Sequence, residues 1–150
     1  MYFITICTNK MINHFGKIFN DKVVLNKIGK YTEQCWIDIP NHFKIVELDE
    51  YVIMPNHIHG IIVINKDNNV ETQNFASLPN KFGPQSKNLG SIIRGFKIGV
   101  TKYANKNNIP FKWQARYHDR IIRDEKELYN VKRYIIENPL KWHIDKYYNE

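Results

Sequence analysis

The chain has 150 residues, of which 43% are hydrophobic and 25% charged, a composition typical of an ordinary globular domain. Lysine and arginine outnumber the acidic residues by 22 to 15, and this net charge of +7 favours an anionic partner such as nucleic acid. No run of about 18 apolar residues is present, so the composition excludes a membrane-spanning helix and we expect no membrane partner.

The beginning of the chain and its cysteines indicate the compartment. The first residues contain no basic region before an apolar run, as a signal peptide would require. Cys7 and Cys35 stand alone, without the spacing of a metal knuckle or a disulfide framework. We therefore expect a cytoplasmic protein in which residues 1–150 form a single domain.

The order of predicted elements indicates the fold class. The first half of the chain begins with a strand at residues 2–8 and a loop with His14 and Gly16, followed by a helix from about Lys22 to Pro40 and strands at 43–54 and 58–64. The second half begins with a helix that is capped by Ser91 and ended by Asn107 and Asn108. A strand at 117–123 and a last helix, capped by Asp124 and stopped by Pro139, follow it. The second and third strands flank the turn at Pro55 and Asn56, so we expect them to form a hairpin. Residues 65–90 are polar and predict a flexible loop.

This order, βαββαβ followed by one helix, is that of an α+β ferredoxin-like fold with an additional C-terminal helix. In that fold both crossover helices lie on one face of an antiparallel sheet. The last helix is then the element available to cover the opposite face.

The sharpest local motif is His57-Ile58-His59. Two histidines at positions i and i+2 of a strand project from one face, about 7 Å apart along the strand. Neutral imidazoles so placed can bind one divalent ion, although two histidines near a turn can equally be hydrogen-bonded polar residues.

Tyr134 and Asn138 form the second motif. They are four residues apart on the last helix, at the border of its apolar stripe, whereas Tyr129 lies on another side. Together with the histidines, the Asn138 amide oxygen could hold Mg²⁺ or Mn²⁺, and Tyr134 could attack a phosphate beside the ion. The alternative is that Tyr134 packs and Asn138 ends the helix.

These motifs resemble those of a known family. The segment PNHIHG at 55–60 is similar to the His-hydrophobic-His motif of HUH nucleases, and WQARYHDRIIR at 113–123 with YIIENP at 134–139 resembles the C-terminal signature of REP-associated tyrosine transposases. The resemblance implies cleavage and rejoining of single-stranded or hairpin DNA through a covalent 5′-phosphotyrosine. It implies His57, His59 and Asn138 as ligands of Mg²⁺ or Mn²⁺ and Tyr134 as the nucleophile. Monomer and homodimer both remain open.

Basic and aromatic residues are frequent after residue 65, as single-stranded DNA binding requires. The candidates for DNA contact are Arg94, Lys97, Lys102, Trp113, Gln114, Arg116, His118, Arg120, Arg123 and Arg133. His118 could also be an extra metal ligand, an acid–base group or an exposed residue at a strand end, and we interpret His14, His42 and His143 as surface residues. Two other functions stay open: a non-catalytic ferredoxin-like module that binds single-stranded nucleic acid, and a metal-dependent hydrolase in which water attacks.

Overall fold

The structure is a computed structural model and describes residues 1–65 and 89–149. Its strands are β1 (Tyr2–Cys7), β2 (Gly16–Phe19), β3 (Lys22–Leu25), β4 (Val46–Ile53), β5 (His57–Ile64) and β6 (His118–Ile121). Its α-helices are α1 (Lys27–Ile37), α2 (Ile39–His42), α3 (Leu89–Lys106) and α4 (Glu125–Glu137). Short 3-10 helices cover Asn9–Met11 and Trp142–Ile144. Within these ranges no helix has the length and apolar character needed to cross a membrane.

Four of the strands form one antiparallel sheet in the order β4-β5-β1-β6. The two central strands pair with Thr5 opposite His59 and Cys7 opposite His57. This order is that of the ferredoxin-like arrangement, and β4 and β5 form the predicted hairpin. The α+β fold predicted from the sequence is confirmed.

One face of the sheet carries the main core. The even-numbered residues of β1 and β5, such as Ile4 and Ile58, point to this face and pack against α1 and α3. Trp36 of α1 is fully buried and lies directly over Gly60, where a Cβ atom would meet its ring at 2.3 Å. The glycine is therefore needed so that the helix can approach the sheet.

The opposite face is covered by α4. Ile61 and Ile122 form a small buried cluster with Val131 and Ile135 of the helix. The helix begins as predicted, because the Asp124 side chain accepts a hydrogen bond from the Glu127 amide at 2.8 Å. This placement brings α4 to the face that holds His57 and His59.

The structure corrects three local predictions: the start of the first helix, its end at Pro40 and the cap at Ser91. Lys22–Leu25 is not the start of a helix but strand β3, which pairs with β2 in a separate two-stranded hairpin. The helix starts at Lys27 because Asn26 caps it, and Pro40 lies in the first turn of α2 rather than ending α1. Ser91 lies inside α3, which begins at Leu89. The loop predicted at 65–90 falls almost wholly outside the described residues.

Candidate metal and nucleophile site

The site is built around the two histidines at the start of β5. His57 and His59 project from the same face, and their ring centroids are 4.5 Å apart. Both side chains are almost completely buried. The Nδ1 atom of His59 is 2.8 Å from the Thr5 hydroxyl on the neighbouring strand. With Nδ1 occupied, the Nε2 atom is the one left to bind a ligand.

Asn56 fixes the ring of His57. Its amide nitrogen donates to the carbonyl oxygens of Met11 and Tyr147, at 3.1 and 2.7 Å. Its Oδ1 atom is 2.7 Å from Nδ1 of His57. Because an amide oxygen can only accept, Nδ1 carries the proton and Nε2 keeps its lone pair. An outer partner of this kind is typical of histidines that bind metals.

Three buried polar atoms at this site have no hydrogen-bond partner. They are the Nε2 atoms of His57 and His59 and the Oδ1 atom of Asn138. Among the described residues only Asn13 and Trp36 contribute further atoms of this kind. Buried polar atoms are normally paired, so a cluster of unpaired acceptors could bind a donor or a cation. Imidazole nitrogen and amide oxygen suit a divalent ion.

The pKa values of both histidines agree with a ligand role. Burial lowers the pKa of His57 to about 3, with the nearby Asn138 amide opposing the shift and the positive charge of Lys146 adding to it. Burial also lowers the pKa of His59 well below its usual value, and the charges of His57 and Lys146 act in the same direction. Both rings are thus neutral near pH 7, as metal binding requires.

Tyr134 lies on α4, and its ring is close to His59. Its ring centroid lies 5.2 Å from that of His59 and 6.0 Å from that of Phe3. The residue is 41% exposed, so a substrate in solution can reach it. Burial raises the pKa of its phenol, the Asp145 carboxylate raises it further, and the Asn138 amide opposes both. The side chains of Tyr134 and Asn138 thus lie next to each other on α4. Tyr129 lies on another side of the helix and is 64% exposed.

The segment after α4 supplies site residues that sequence reasoning missed. One carboxylate oxygen of Asp145 and the ligand nitrogens of His57 and His59 all lie within 4.8 Å of one another. The ring of Tyr147 lies tilted against the His57 imidazole at a centroid distance of 4.5 Å and meets the His59 imidazole edge-on at 5.8 Å. Burial raises the pKa of Tyr147 to about 12. Asp145 also accepts a hydrogen bond from the Tyr147 amide at 2.8 Å. The sequence carries no periodic or motif signal for these contacts.

His118 and Arg120 are the predicted DNA-contact residues that lie on the site's face of the sheet. In β6 they stand opposite Thr5 and Phe3 of β1, whose side chains face α4. With Lys146 they line a groove of about 470 Å³ beside the histidines. Both side chains are exposed.

In the loop before β6, two of the predicted DNA-contact residues make contacts within the protein. The Lys97 ammonium donates to the backbone carbonyls of Gln114 and Arg116, at 3.0 and 2.7 Å. Trp113 is half-buried among Phe15, Phe96 and Phe111, and its Nε1 atom donates to the Lys97 carbonyl at 3.1 Å. Lys97 and Trp113 thus hold the loop in place, while the Arg116 side chain is exposed.

The other predicted DNA contacts are not gathered at the histidines. Arg94 and Lys102 are exposed on α3, which covers the opposite face of the sheet. Arg123 precedes α4, and its amide donates to the Glu127 carboxylate at 2.7 Å. Arg133 is exposed on α4 and pairs with Glu137 at 3.0 Å.

Comparisons with known proteins show which proteins the chain resembles. An uncharacterized protein of Haemophilus influenzae is 45% identical over 153 residues, which cover 98% of this chain and 84% of that protein. A second protein of that organism, named as a REP-associated tyrosine transposase, is 30% identical over 89 residues, 59% of this chain and 47% of its own length. No protein-family model matches the chain.

A solved structure of a REP-associated tyrosine transposase bound to a REP hairpin has the same fold. It superposes with a TM-score of 0.60 at 18% identity, over 93% of this chain and 66% of that one. This chain therefore spans about two thirds of the solved transposase and about half of the named relative. In sequence and in fold, the chain resembles the REP-associated tyrosine transposases, as its two motifs predict.

Proposed function

We propose that the protein is a metal-dependent transposase that cleaves and rejoins single-stranded DNA at hairpin ends through a covalent 5′-phosphotyrosine. The observation that carries the proposal is the position of Tyr134, whose phenol lies beside a buried cluster of unpaired imidazole and amide acceptors. A nucleophile next to a set of metal ligands lets a bound ion polarise the phosphate that the nucleophile attacks. The hairpin bound to the related transposase supports DNA as the partner.

The residues that would hold Mg²⁺ or Mn²⁺ are His57, His59 and Asn138, and Asp145 adds a carboxylate. The ion would act as a Lewis acid on the scissile phosphate and stabilise charge in the transition state. Thr5 and Asn56 orient the two imidazoles for this task. Imidazole, amide and carboxylate together leave coordination positions for phosphate oxygens.

Tyr134 performs the bond exchange. Its phenolic oxygen forms a bond to phosphorus while the bond from phosphorus to the 3′ oxygen breaks. The phenol gives up one proton and the departing 3′ oxygen takes up one, so the step needs no oxidant or reductant. The phosphotyrosine keeps the energy of the phosphodiester, and attack by a 3′ hydroxyl on it rejoins DNA and restores the phenol.

Basic residues around the site would position the strand. His118 and Arg120 border the histidines, and Arg116 is exposed on the loop before them. Contacts of this kind neutralise phosphates, so we expect binding to weaken steeply as salt rises. Lys97 and Trp113 would act indirectly, because they hold the loop that carries Arg116.

The test is incubation with a single-stranded hairpin oligonucleotide and Mn²⁺, followed by denaturing electrophoresis for a protein–DNA adduct. Tyr134→Phe should form no adduct, and His57→Ala should neither cleave nor form one. Tyr129→Phe is the matched control, because it removes an exposed tyrosine from another side of the same helix.

Two outcomes would replace the proposal. Cleavage that survives Tyr134→Phe but not His57→Ala would identify a hydrolase in which water attacks. Salt-sensitive binding without cleavage or metal dependence would identify a binding module.

A further inference from the structure

Two grooves flank the proposed site, and Lys146 lies between them. The first groove lies on the side of α4 and has a volume of about 430 Å³. We call it the nucleophile groove, and its lining consists of Tyr134, Glu137, Asn138, Lys141, Ile144, Asp145 and Lys146. The second is the groove next to β6, which we call the strand groove; it is lined by Phe3, Thr5, His118, Asp119, Arg120, Lys146 and Tyr147. Lys146 is the residue that both grooves share. A DNA strand that passes from Arg120 to Tyr134 therefore crosses Lys146.

The charge of Lys146 is available for a ligand. Its side chain is exposed, and within the described residues its ammonium has no carboxylate partner. Its ammonium lies over the ring of Tyr147, at 5.2 Å from the centroid. Lys141, which also lines the nucleophile groove, is instead paired with Glu137 at 2.9 Å.

The backbone around Lys146 is held in place. The preceding residue, Asp145, belongs to the cluster of candidate ligands. The carbonyl of the following residue, Tyr147, accepts a hydrogen bond from the buried Asn56 amide at 2.7 Å. The lysine is therefore anchored on both sides, while its long side chain can reach into either groove.

We propose that Lys146 binds the scissile phosphate and stabilises the charge that develops on it during attack by Tyr134. The inference rests on the proposed function and adds a residue to it. An ammonium is a point charge that contacts a non-bridging phosphate oxygen without a fixed orientation. Lys146 lines both grooves and directly follows Asp145 of the ligand cluster, so a phosphate that spans the two grooves would lie within reach of its ammonium. Its contribution is electrostatic and requires no change in its protonation.

The test uses the full chain and one hairpin oligonucleotide whose cleavage position is first mapped with the wild-type protein. Lys146→Ala should slow cleavage about 10- to 100-fold, somewhat less than the loss of a buried oxyanion donor. Lys146→Arg should recover most of the rate, because it keeps the charge. Lys44→Ala is the control: it removes one exposed lysine before β4, at the end of the sheet away from the histidines, and should leave the rate unchanged.

A second oligonucleotide, with an uncharged methylphosphonate at the cleavage position, separates phosphate contact from a structural effect. In a Tyr134→Phe background, which prevents cleavage, Lys146→Ala should weaken binding of the normal strand but not of the methylphosphonate strand. Mn²⁺ affinity should not fall, because the substitution removes a positive charge that acts on both imidazoles.

Equal losses on both strands, a parallel loss of Mn²⁺ affinity, or a wild-type cleavage rate would each overturn the role of Lys146 alone. Absence of any adduct with the wild-type protein would overturn the proposed function and this inference together.

Discussion

Asn56→Ala is the substitution that most directly probes how the protein prepares the site. The side chain is completely buried and makes three hydrogen bonds: it accepts from His57 Nδ1 and donates to the carbonyls of Met11 and Tyr147. Alanine removes all three bonds and leaves the imidazole free to rotate. Two effects should follow, one on stability and one on metal binding, and they can be measured separately.

The stability effect follows from the groups left unpaired. A buried polar group that loses its partner costs about 1–3 kcal/mol, and Nδ1 of His57 is such a group. The Met11 carbonyl keeps a hydrogen bond from the Asn149 amide at 2.8 Å, and Tyr147 is half-buried, so water replaces part of what its carbonyl loses. We expect the free energy of unfolding to fall by about 2–4 kcal/mol. Urea denaturation of the metal-free protein measures this value.

The effect on metal affinity follows from the lost orientation of the His57 imidazole. Loss of an outer partner of a metal-bound histidine typically lowers affinity about 10- to 100-fold. Titration with Mn²⁺, followed by electron paramagnetic resonance at a temperature where the variant is folded, measures the change. Asn41→Ala is the control, because Asn41 is exposed and bonds only to Asp38. A folded Asn56→Ala protein with wild-type Mn²⁺ affinity would refute the argument that Asn56 orients His57.

Three further substitutions test other parts of the structure. Gly60→Ala should cost about 1–3 kcal/mol of unfolding free energy, measured by denaturation, because its Cβ would overlap the buried ring of Trp36; an unchanged midpoint would contradict the close approach. Asp124→Ala should cost about 1 kcal/mol by removing the cap of α4, and Asp124→Asn should restore most of the loss. Thr5→Val should lower Mn²⁺ affinity about 10-fold by releasing His59, with little change in far-UV circular dichroism; full affinity would show that the hydroxyl is dispensable.

The parts of the structure that the sequence predicts well are those with a strong local signal. β-branched and aromatic residues indicated β1, and the apolar segment after the turn at Pro55 and Asn56 indicated β5, on which His57 and His59 share a face. Helical spacing from the Asp124 cap placed Tyr134 and Asn138 on one border of α4. The roles of these residues in catalysis and metal binding stay predictions.

What the sequence does not predict depends on contacts between distant segments. Asn56 bonds to a main-chain carbonyl 91 residues away, and main-chain atoms carry no sequence signature. Asp145 and Lys146 belong to a short irregular segment in which no periodicity indicates which side chains face the histidines. The hairpin of Gly16–Phe19 and Lys22–Leu25 was missed because four-residue strands are too short to be distinguished from the first turns of a helix.

The unequal covering of the two sheet faces has a consequence for motion. The main core joins α1 and α3 to the sheet through many large side chains, whereas α4 is attached through a small cluster with Val131 and Ile135. Local opening costs the least where few apolar contacts are broken, so we expect α4 to open at a lower free energy than α1 and α3. We therefore expect the helix that carries Tyr134, the proposed nucleophile, to loosen and return while the sheet that holds His57 and His59 stays folded.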